Sequence, residues 1–161
     1  MKMISSVLVL FLLAIVACEN KIVKHEVSIP DERNDFHKIV GRWADVAVII
    51  NGEDLPRGGV TQQGPVAYYT FNSDSTFMIT VGDSIKERGK WFINSNASPK
   101  TFDHTDHLVD APYVVPGIYE LGEDMFKICI WTPNKEMRRP TRFESKAENG
   151  SWILIFKRAS E

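Results

Sequence analysis

The sequence has little cysteine and no excess of positive charge. Lys and Arg side chains number 19 against 21 Asp and Glu, which gives a formal net charge of −2. Binding to a nucleic-acid backbone depends on clustered positive charge, so we expect no nucleic-acid partner. The two cysteines, Cys18 and Cys129, could pair with each other. Cys129 lies in an apolar run, which is typical of a small core residue rather than a reactive thiol.

Motifs that carry common enzyme chemistry are also missing. The sequence contains no Gly-x-Ser-x-Gly elbow and no Cys–His arrangement that would activate a nucleophile. It has no glycine-rich loop of the kind that cradles phosphate groups. We therefore expect a protein that is not an enzyme and that requires no cofactor.

The first 18 residues have the organisation of a bacterial export signal. Lys2 supplies a positive start, and residues 4–17 are almost wholly apolar. This run is shorter than the ~20 residues that a membrane-spanning helix needs, and it is typical of a signal-peptide core. The junction Ile15-Val16-Ala17-Cys18 resembles the bacterial lipobox, in which the leader is cut before a cysteine whose thiol accepts diacylglycerol. Residues 1–17 are thus predicted to be a lipoprotein signal peptide.

Lipidation of Cys18 would tether the protein to a membrane. Acyl chains such as palmitate hold a protein to a bilayer because each buried methylene contributes about 0.8 kcal/mol. Residues 18–30 mix charged and apolar side chains without a period, and we interpret them as the tether. We expect the domain in the bacterial cell envelope, outside the cytoplasm, in the periplasm or on the cell surface. Glu19 follows the cysteine, and sorting rules at that position differ among bacteria, so the inner and the outer membrane both stay open. An ordinary secretory signal with a coincidental cysteine is the alternative.

Residues 31–161 are predicted to form one all-β domain. Asp31 is expected to cap a short helix that runs to about Val40. Beyond it, apolar alternation and turn residues indicate consecutive strands, with a Gly- and Pro-rich loop at residues 53–65. The predicted strands are residues 41–50, 66–71, 76–81, 85–93, 100–104, 115–121, 125–131, 141–145 and 152–157. Successive hairpins with one apolar face favour a closed antiparallel up-and-down β-barrel of about eight strands.

The motif Gly41-Arg42-Trp43, after a short helix and at the head of the first strand, resembles the Gly-x-Trp motif of the lipocalin and wider calycin barrels. Other blocks resemble, in order and spacing, the small lipocalin-like domains common in planctomycetes and related bacteria. These blocks include Asn51-Gly52, Tyr69-Thr70-Phe71, Gly89-Lys90-Trp91, Pro99-Lys100-Thr101-Phe102-Asp103, Pro116-Gly117-Ile118-Tyr119-Glu120-Leu121 and Arg139-Pro140-Thr141-Arg142-Phe143.

The similarity covers roughly residues 36–158 and implies a lipocalin-like fold. It implies no common enzymatic activity and no common ligand. It further implies a structural role for Trp43, which would pack at the closed barrel end beneath a basic residue of the last strand, either Lys157 or Arg158. A cation–π contact of this kind contributes roughly 0.5–2 kcal/mol.

The inside of the barrel is the main candidate for function. Alternation predicts an inward-facing aromatic set, namely Tyr69, Phe71, Phe77, Trp91, Phe102, Tyr119 and Phe126. Such a set either packs against itself as a filled core or walls an apolar pocket. His104 is expected on the same face as Phe102, where an imidazole can recognise the polar head of a ligand. The candidate ligand-binding residues are Tyr69, Phe77, Trp91, His104, Tyr119 and Phe126.

Acidic and imidazole side chains cluster in Asp103-His104-Thr105-Asp106-His107, with Asp110 nearby. Such side chains ligate transition metals. Alternate residues of a strand face opposite ways, so His104 with Asp106 and Asp103 with His107 form separate pairs, each with too few ligands. We therefore expect no metal site here.

Two further charged features are expected to be solvated. Glu87 is in phase with Gly89 and Trp91, but it lies near a predicted strand end, where side chains are often in water. The basic residues Lys135, Arg138, Arg139 and Arg142 are interpreted as a solvated loop and strand edge rather than as an anion site.

These features predict a membrane-tethered, non-enzymatic lipocalin-like domain, expected to be a monomer. It would bind a small apolar ligand or act as an envelope interaction module. The alternative is a protein-binding or inhibitory module with a filled barrel core, no ligand, and surface loops as its contacts. A metal-dependent enzyme that uses His104 or His107 is the third and least favoured hypothesis.

Overall fold

The computed structural model describes residues 32–56, 65–106, 113–131 and 138–160. They form one helix, α1 (Glu32–Ile39), and nine strands. The strands are β1 (Gly41–Ile50), β2 (Glu53–Pro56), β3 (Ala67–Phe71), β4 (Thr76–Val81), β5 (Ser84–Asn94), β6 (Thr101–Asp106), β7 (Val114–Leu121), β8 (Met125–Trp131) and β9 (Ser151–Arg158). The predicted signal peptide, Cys18 and the tether lie outside the described residues. Within those residues, no helix combines the length and the apolar character needed to cross a membrane.

Eight of the strands close into an antiparallel barrel. From β3 to β9 each strand pairs with the next, and β1 closes the ring by pairing with β9 along one edge and with β3 along the other. This is the order that consecutive hairpins produce, and closure leaves the ring without an exposed edge. The predicted lipocalin-like β-barrel is confirmed.

The ninth strand, β2, corrects the prediction of a loop over residues 53–65 at residues 53–56, while residues 57–64 lie outside the described residues. β1 has ten residues and β3 has five, so β3 covers only residues 41–44 of β1. Residues 47–50 pair instead with β2, which turns back through Asn51 and Gly52, both at positive φ. Backbone groups of β1 that β3 does not reach thus obtain partners.

Residues 141–145 were predicted as a strand, and this prediction is wrong. Residues 141–143 form bends and residues 144–145 have no regular structure, all of them outside the sheet, and Arg142 Nε lies 2.7 Å from Glu144 Oε2 in an ion pair. Phe143, between them, packs on an apolar cluster on the outer surface of the barrel. The segment therefore has no partner among the described strands, and it contacts the barrel through Phe143 and through the Ser145 hydroxyl, which donates to the carbonyl of Ser151 at 2.6 Å.

Cys129 belongs to that outer cluster, together with Ile118 and Ile153. It is fully buried, as the sequence predicted, and burial is the main cause that raises the pKa of its thiol. Residues 138–145 cover this cluster with Phe143. Arg139 holds them on the barrel, since its guanidinium binds both carboxylate oxygens of Asp103 at 2.6 and 2.9 Å. Cys129 therefore has a packing role.

Helix α1 closes one end of the barrel. Its Phe36 ring stacks on Trp91, with ring centroids 4.6 Å apart. Its Asp35 accepts hydrogen bonds from Lys100 Nζ at 2.6 Å and from the Tyr119 hydroxyl at 2.8 Å. The helix is thus fixed by an aromatic contact inside the barrel and by a charged contact at its rim.

Trp43 lies beneath the helix, at the head of β1, and is fully buried. Its indole Nε1 donates to the carbonyl of Ile39 at 2.7 Å, where the helix ends. The guanidinium of Arg158 lies 4.1 Å from the centroid of the Trp43 ring, and it also donates to the carbonyl of Lys38. Of the two basic residues that the resemblance allowed, Arg158 makes this contact, while Lys157 is exposed.

Gly41 completes the closed end. Its φ of +128° is a backbone conformation that residues other than glycine rarely adopt, and a Cβ at this position would lie 3.0 Å from Nη1 of Arg158. Glycine therefore permits both the backbone turn from α1 into β1 and the approach of Arg158 to Trp43.

Candidate ligand cavity in the barrel

The closed half of the barrel interior is filled by aromatic rings. Phe126 is at its centre and has no exposed surface. Its ring centroid lies 5.4 to 6.1 Å from the centroids of five others, those of Trp43, Phe71, Phe102, Tyr119 and Phe156. All five pairs are tilted or edge-on, and aromatic rings prefer such arrangements to a face-to-face sandwich. This half is a packed core.

The opposite half contains a cavity of about 160 Å³. Its lining is mostly aliphatic and aromatic, and it includes Phe71, Phe77, Ile79, Ile128, Ile130 and Leu154. Four of the lining residues carry polar side-chain atoms, namely Tyr69, Glu87, His104 and Trp152. The barrel therefore offers an apolar chamber with a small polar region.

The polar region is formed by Glu87 on β5 and His104 on β6. His104 Nε2 lies 3.8 Å from Glu87 Oε1, and the two side chains are 15% and 24% exposed, respectively. The His104 ring contacts Phe77 edge-on at 5.6 Å and Phe102 at 6.0 Å between centroids. The imidazole is thus held between rings of the core while it faces the carboxylate.

The prediction that Glu87 is solvated is wrong. β5 begins at Ser84 and is paired with β4 from that residue onward, so Glu87 is inside the strand and not at its end. The alternation that it shares with Gly89 and Trp91 then places it on the inner face. The alternation thus predicts the inward face of Glu87 correctly, whereas nearness to a predicted strand end does not predict its exposure.

Gly89 separates Glu87 from Trp91 on the inner face of β5. A Cβ at this position would lie 1.6 Å from the carbonyl oxygen of Thr105 and 2.6 Å from Phe77 Cε1. β5 and β6 therefore approach each other here as only a glycine allows. The absent side chain also leaves room for the Phe77 ring in the lining of the cavity.

Trp152 lies at the mouth of the cavity. It lines the chamber and is 38% exposed. Trp152 was not among the predicted site residues, although it is spaced two residues from Leu154 and four from Phe156 on β9, and both of these are buried inside the barrel. That period was the signal that could have identified it.

The predicted binding residues divide between the two halves of the barrel. Tyr69, Phe77 and His104 line the cavity. Trp91, Tyr119 and Phe126 are fully or almost fully buried in the closed half, and they do not line it. They face the barrel interior, as predicted, but they lie at the end that α1 fills by placing Phe36 against Trp91.

The acidic and imidazole cluster is dispersed in the fold. Asp103 binds Arg139 through its carboxylate, while His104 faces the cavity. His107 and Asp110 lie outside the described residues, and of Asp106 only the backbone is described. Within the described ranges, no three His, Cys, Asp or Glu side chains are arranged to hold a metal ion.

The predicted basic run is partly engaged in ion pairs. Arg139 and Arg142 contact Asp103 and Glu144, respectively, and Arg138 is exposed. Lys135 lies outside the described residues. The cavity therefore remains the feature that best fits a ligand site.

No protein-family model, no curated protein and no solved structure gives a significant match to this chain. The functional conclusion accordingly depends on the barrel, its cavity and the sequence pattern.

Proposed function

We propose that this chain is a membrane-tethered lipoprotein of the bacterial envelope whose lipocalin-like barrel, without enzymatic activity, binds one small apolar ligand. The observation that carries the proposal is the cavity of about 160 Å³ in the open half of the barrel. Ligand sites are typically concave and apolar, with a few placed polar groups. An apolar protein cavity of about 150 Å³ binds a benzene molecule, which sets the scale for this one.

The size of the cavity narrows the ligand class. A single six-membered ring with one small substituent fits the volume of the cavity. A longer molecule would have to extend past Trp152 at the mouth. The proposed ligand is therefore a ring-sized molecule, or a ring-sized group of a larger one.

Binding can be tested on the chain from residue 19 to 161. Both core clusters consist of residues between Phe36 and Phe156, so this chain retains them completely. We expect toluene to shift the methyl NMR signals of Ile128 and Leu154, which line the cavity. The methyl signals of Ile118 and Ile153, which lie in the outer cluster, should stay in place.

Filling the cavity should abolish this response. Ile130→Trp adds a large ring at a lining position, and we expect it to weaken toluene binding at least about tenfold, since the ring occupies ligand volume. Met125→Trp, on the same strand but exposed, is the matched control and should bind as the wild type does. Toluene binding that survives Ile130→Trp would contradict the cavity. A folded wild type that binds no ring-sized probe would favour the alternative, a protein-binding module without a ligand.

The lipid anchor is a second part of the proposal and has its own test. Support for it comes from the lipobox-like junction Ile15-Val16-Ala17-Cys18. Cells that express the chain should incorporate labelled palmitate into it, and Cys18→Ser should abolish the label and leave the leader uncut. Cys129→Ala is the control for the other cysteine and should keep the label. Label retained in Cys18→Ser would overturn the anchor.

Membership in the planctomycete-type lipocalin-like family is likewise a proposal. It is supported by the arrangement at the closed end, where Gly41, Trp43 and Arg158 combine in the way that the resemblance implied. The protein is proposed to act as a monomer, attached to the membrane through Cys18.

A further inference from the structure

We infer that the cavity selects a ring-sized ligand that carries a hydroxyl or an ammonium group, and that it rejects carboxylates. This inference rests on the proposed function, since it concerns the same cavity. It is carried by the polar region that Glu87 and His104 form in a mostly apolar lining.

The charge of the lining favours a hydrogen-bond donor. Glu87 is the single acidic residue among the described residues that line the cavity, and the described lining includes no Lys or Arg. Charges interact more strongly in a partly buried, apolar surrounding than in water. A ligand carboxylate would therefore face the carboxylate of Glu87, and the described lining offers no Lys or Arg side chain to offset the repulsion.

A hydroxyl or ammonium group would instead complement Glu87. A carboxylate has about four lone-pair positions and accepts several hydrogen bonds at once, so Glu87 can accept one from a ligand in addition to its contacts within the protein. Hydrogen bonds to a charged acceptor are also stronger than those between neutral groups. An ammonium ligand would gain from the aromatic rings of the lining as well, through cation–π contact.

His104 positions the carboxylate. Its ring is packed against Phe77 and Phe102, and its Nε2 lies within ion-pair distance of Glu87 Oε1. Because these rings belong to the packed core, the imidazole provides a fixed neighbour for an otherwise flexible side chain. The Glu87 carboxylate is thereby held at one side of the cavity, where it can also orient the ligand.

Four probes with one carbon skeleton test the inference: toluene, benzyl alcohol, benzylamine and benzoate. Each is titrated into the chain 19–161, and the methyl signals of Ile128 and Leu154 report occupancy of the cavity itself. Benzyl alcohol or benzylamine should bind about tenfold more tightly than toluene, because each adds a hydrogen bond to a charged acceptor. Benzoate should bind more weakly than toluene.

Glu87→Gln removes the charge while it keeps the shape. We expect the preference for benzyl alcohol or benzylamine over benzoate to fall at least about fivefold in this variant. Glu123→Gln, on an exposed turn between β7 and β8, is the matched control and should leave that preference unchanged.

The outcomes separate the inference from the function on which it rests. Benzoate that binds as tightly as the donor-bearing probes, or a preference unaltered by Glu87→Gln, would overturn the inference while the cavity still binds toluene. A failure of all four probes to shift the cavity signals would contradict the proposed function itself, and the inference with it.

Discussion

Replacement of Trp43 by Ala is expected to lower the free energy of unfolding by about 4 kcal/mol, the range found when a large buried aromatic side chain is removed. Trp43 has no exposed surface, and its ring contacts both Phe126 and the guanidinium of Arg158. The substitution would also remove the hydrogen bond to Ile39 that fixes the end of α1. Three contributions are thus lost together: packing, a cation–π contact and a helix attachment. Urea unfolding followed by circular dichroism measures the change.

Trp152→Ala provides the matched control, since it removes the same side chain from the open end of the barrel. Trp152 is partly exposed, and its loss is expected to cost about 1 kcal/mol, a usual value for a substitution outside the core. Equal losses for the two variants would show that the closed end does not dominate stability, and the assignment of a structural role to Trp43 would fail.

Much of the barrel could be predicted from local sequence because strands and hairpins are local features. Side chains of a strand alternate between two faces, and turn dipeptides such as Asn51-Gly52 mark where the chain reverses. The bounds of β1, β4 and β8 coincide with the predicted ones. Consecutive antiparallel strands with one apolar face then have few ways to cover their edges, and closure is one of them.

β2 could not be predicted in this way because its cause is not local. The sequence Glu53-Asp54-Leu55-Pro56 has little strand character of its own. It pairs because β1 is twice as long as β3, which leaves backbone groups of β1 in need of partners. The opposite error, at residues 141–145, has a related origin: alternation was present, but the eight-stranded ring was already closed and had no free edge to pair with this segment.

The candidate site was predicted in part, since alternation gives the face of a residue but not its depth along the barrel. Phe77 and Phe126 both face inward, yet the first lines the cavity and the second is enclosed by rings. The position of α1 makes the difference, because the helix fills one end and leaves the other open. That arrangement depends on contacts between residues far apart in the sequence, such as Asp35 with Tyr119.

Gly89→Ala is expected to destabilise the barrel by about 3 kcal/mol or more, at the upper end of what overpacking costs. On entropic grounds alone, alanine would be favoured over glycine in a strand. We nevertheless expect a loss of stability, because the new Cβ would lie 1.6 Å from the backbone oxygen of Thr105. A backbone atom cannot rotate away as a side chain can, so β5 and β6 would have to separate.

Gly122→Ala is the matched control for this substitution. The nearest atom to a Cβ at that position is the Met125 carbonyl oxygen at 3.6 Å, an ordinary van der Waals contact, and we expect a change within about 1 kcal/mol. Both changes are measured by urea unfolding of the chain 19–161. Glu87 is on β5 and His104 is on β6. Separation of these two strands would therefore also displace His104 from Glu87. If Gly89→Ala proved as stable as Gly122→Ala, the two strands would have to lie further apart than described, and the polar region of the cavity would lose its structural basis.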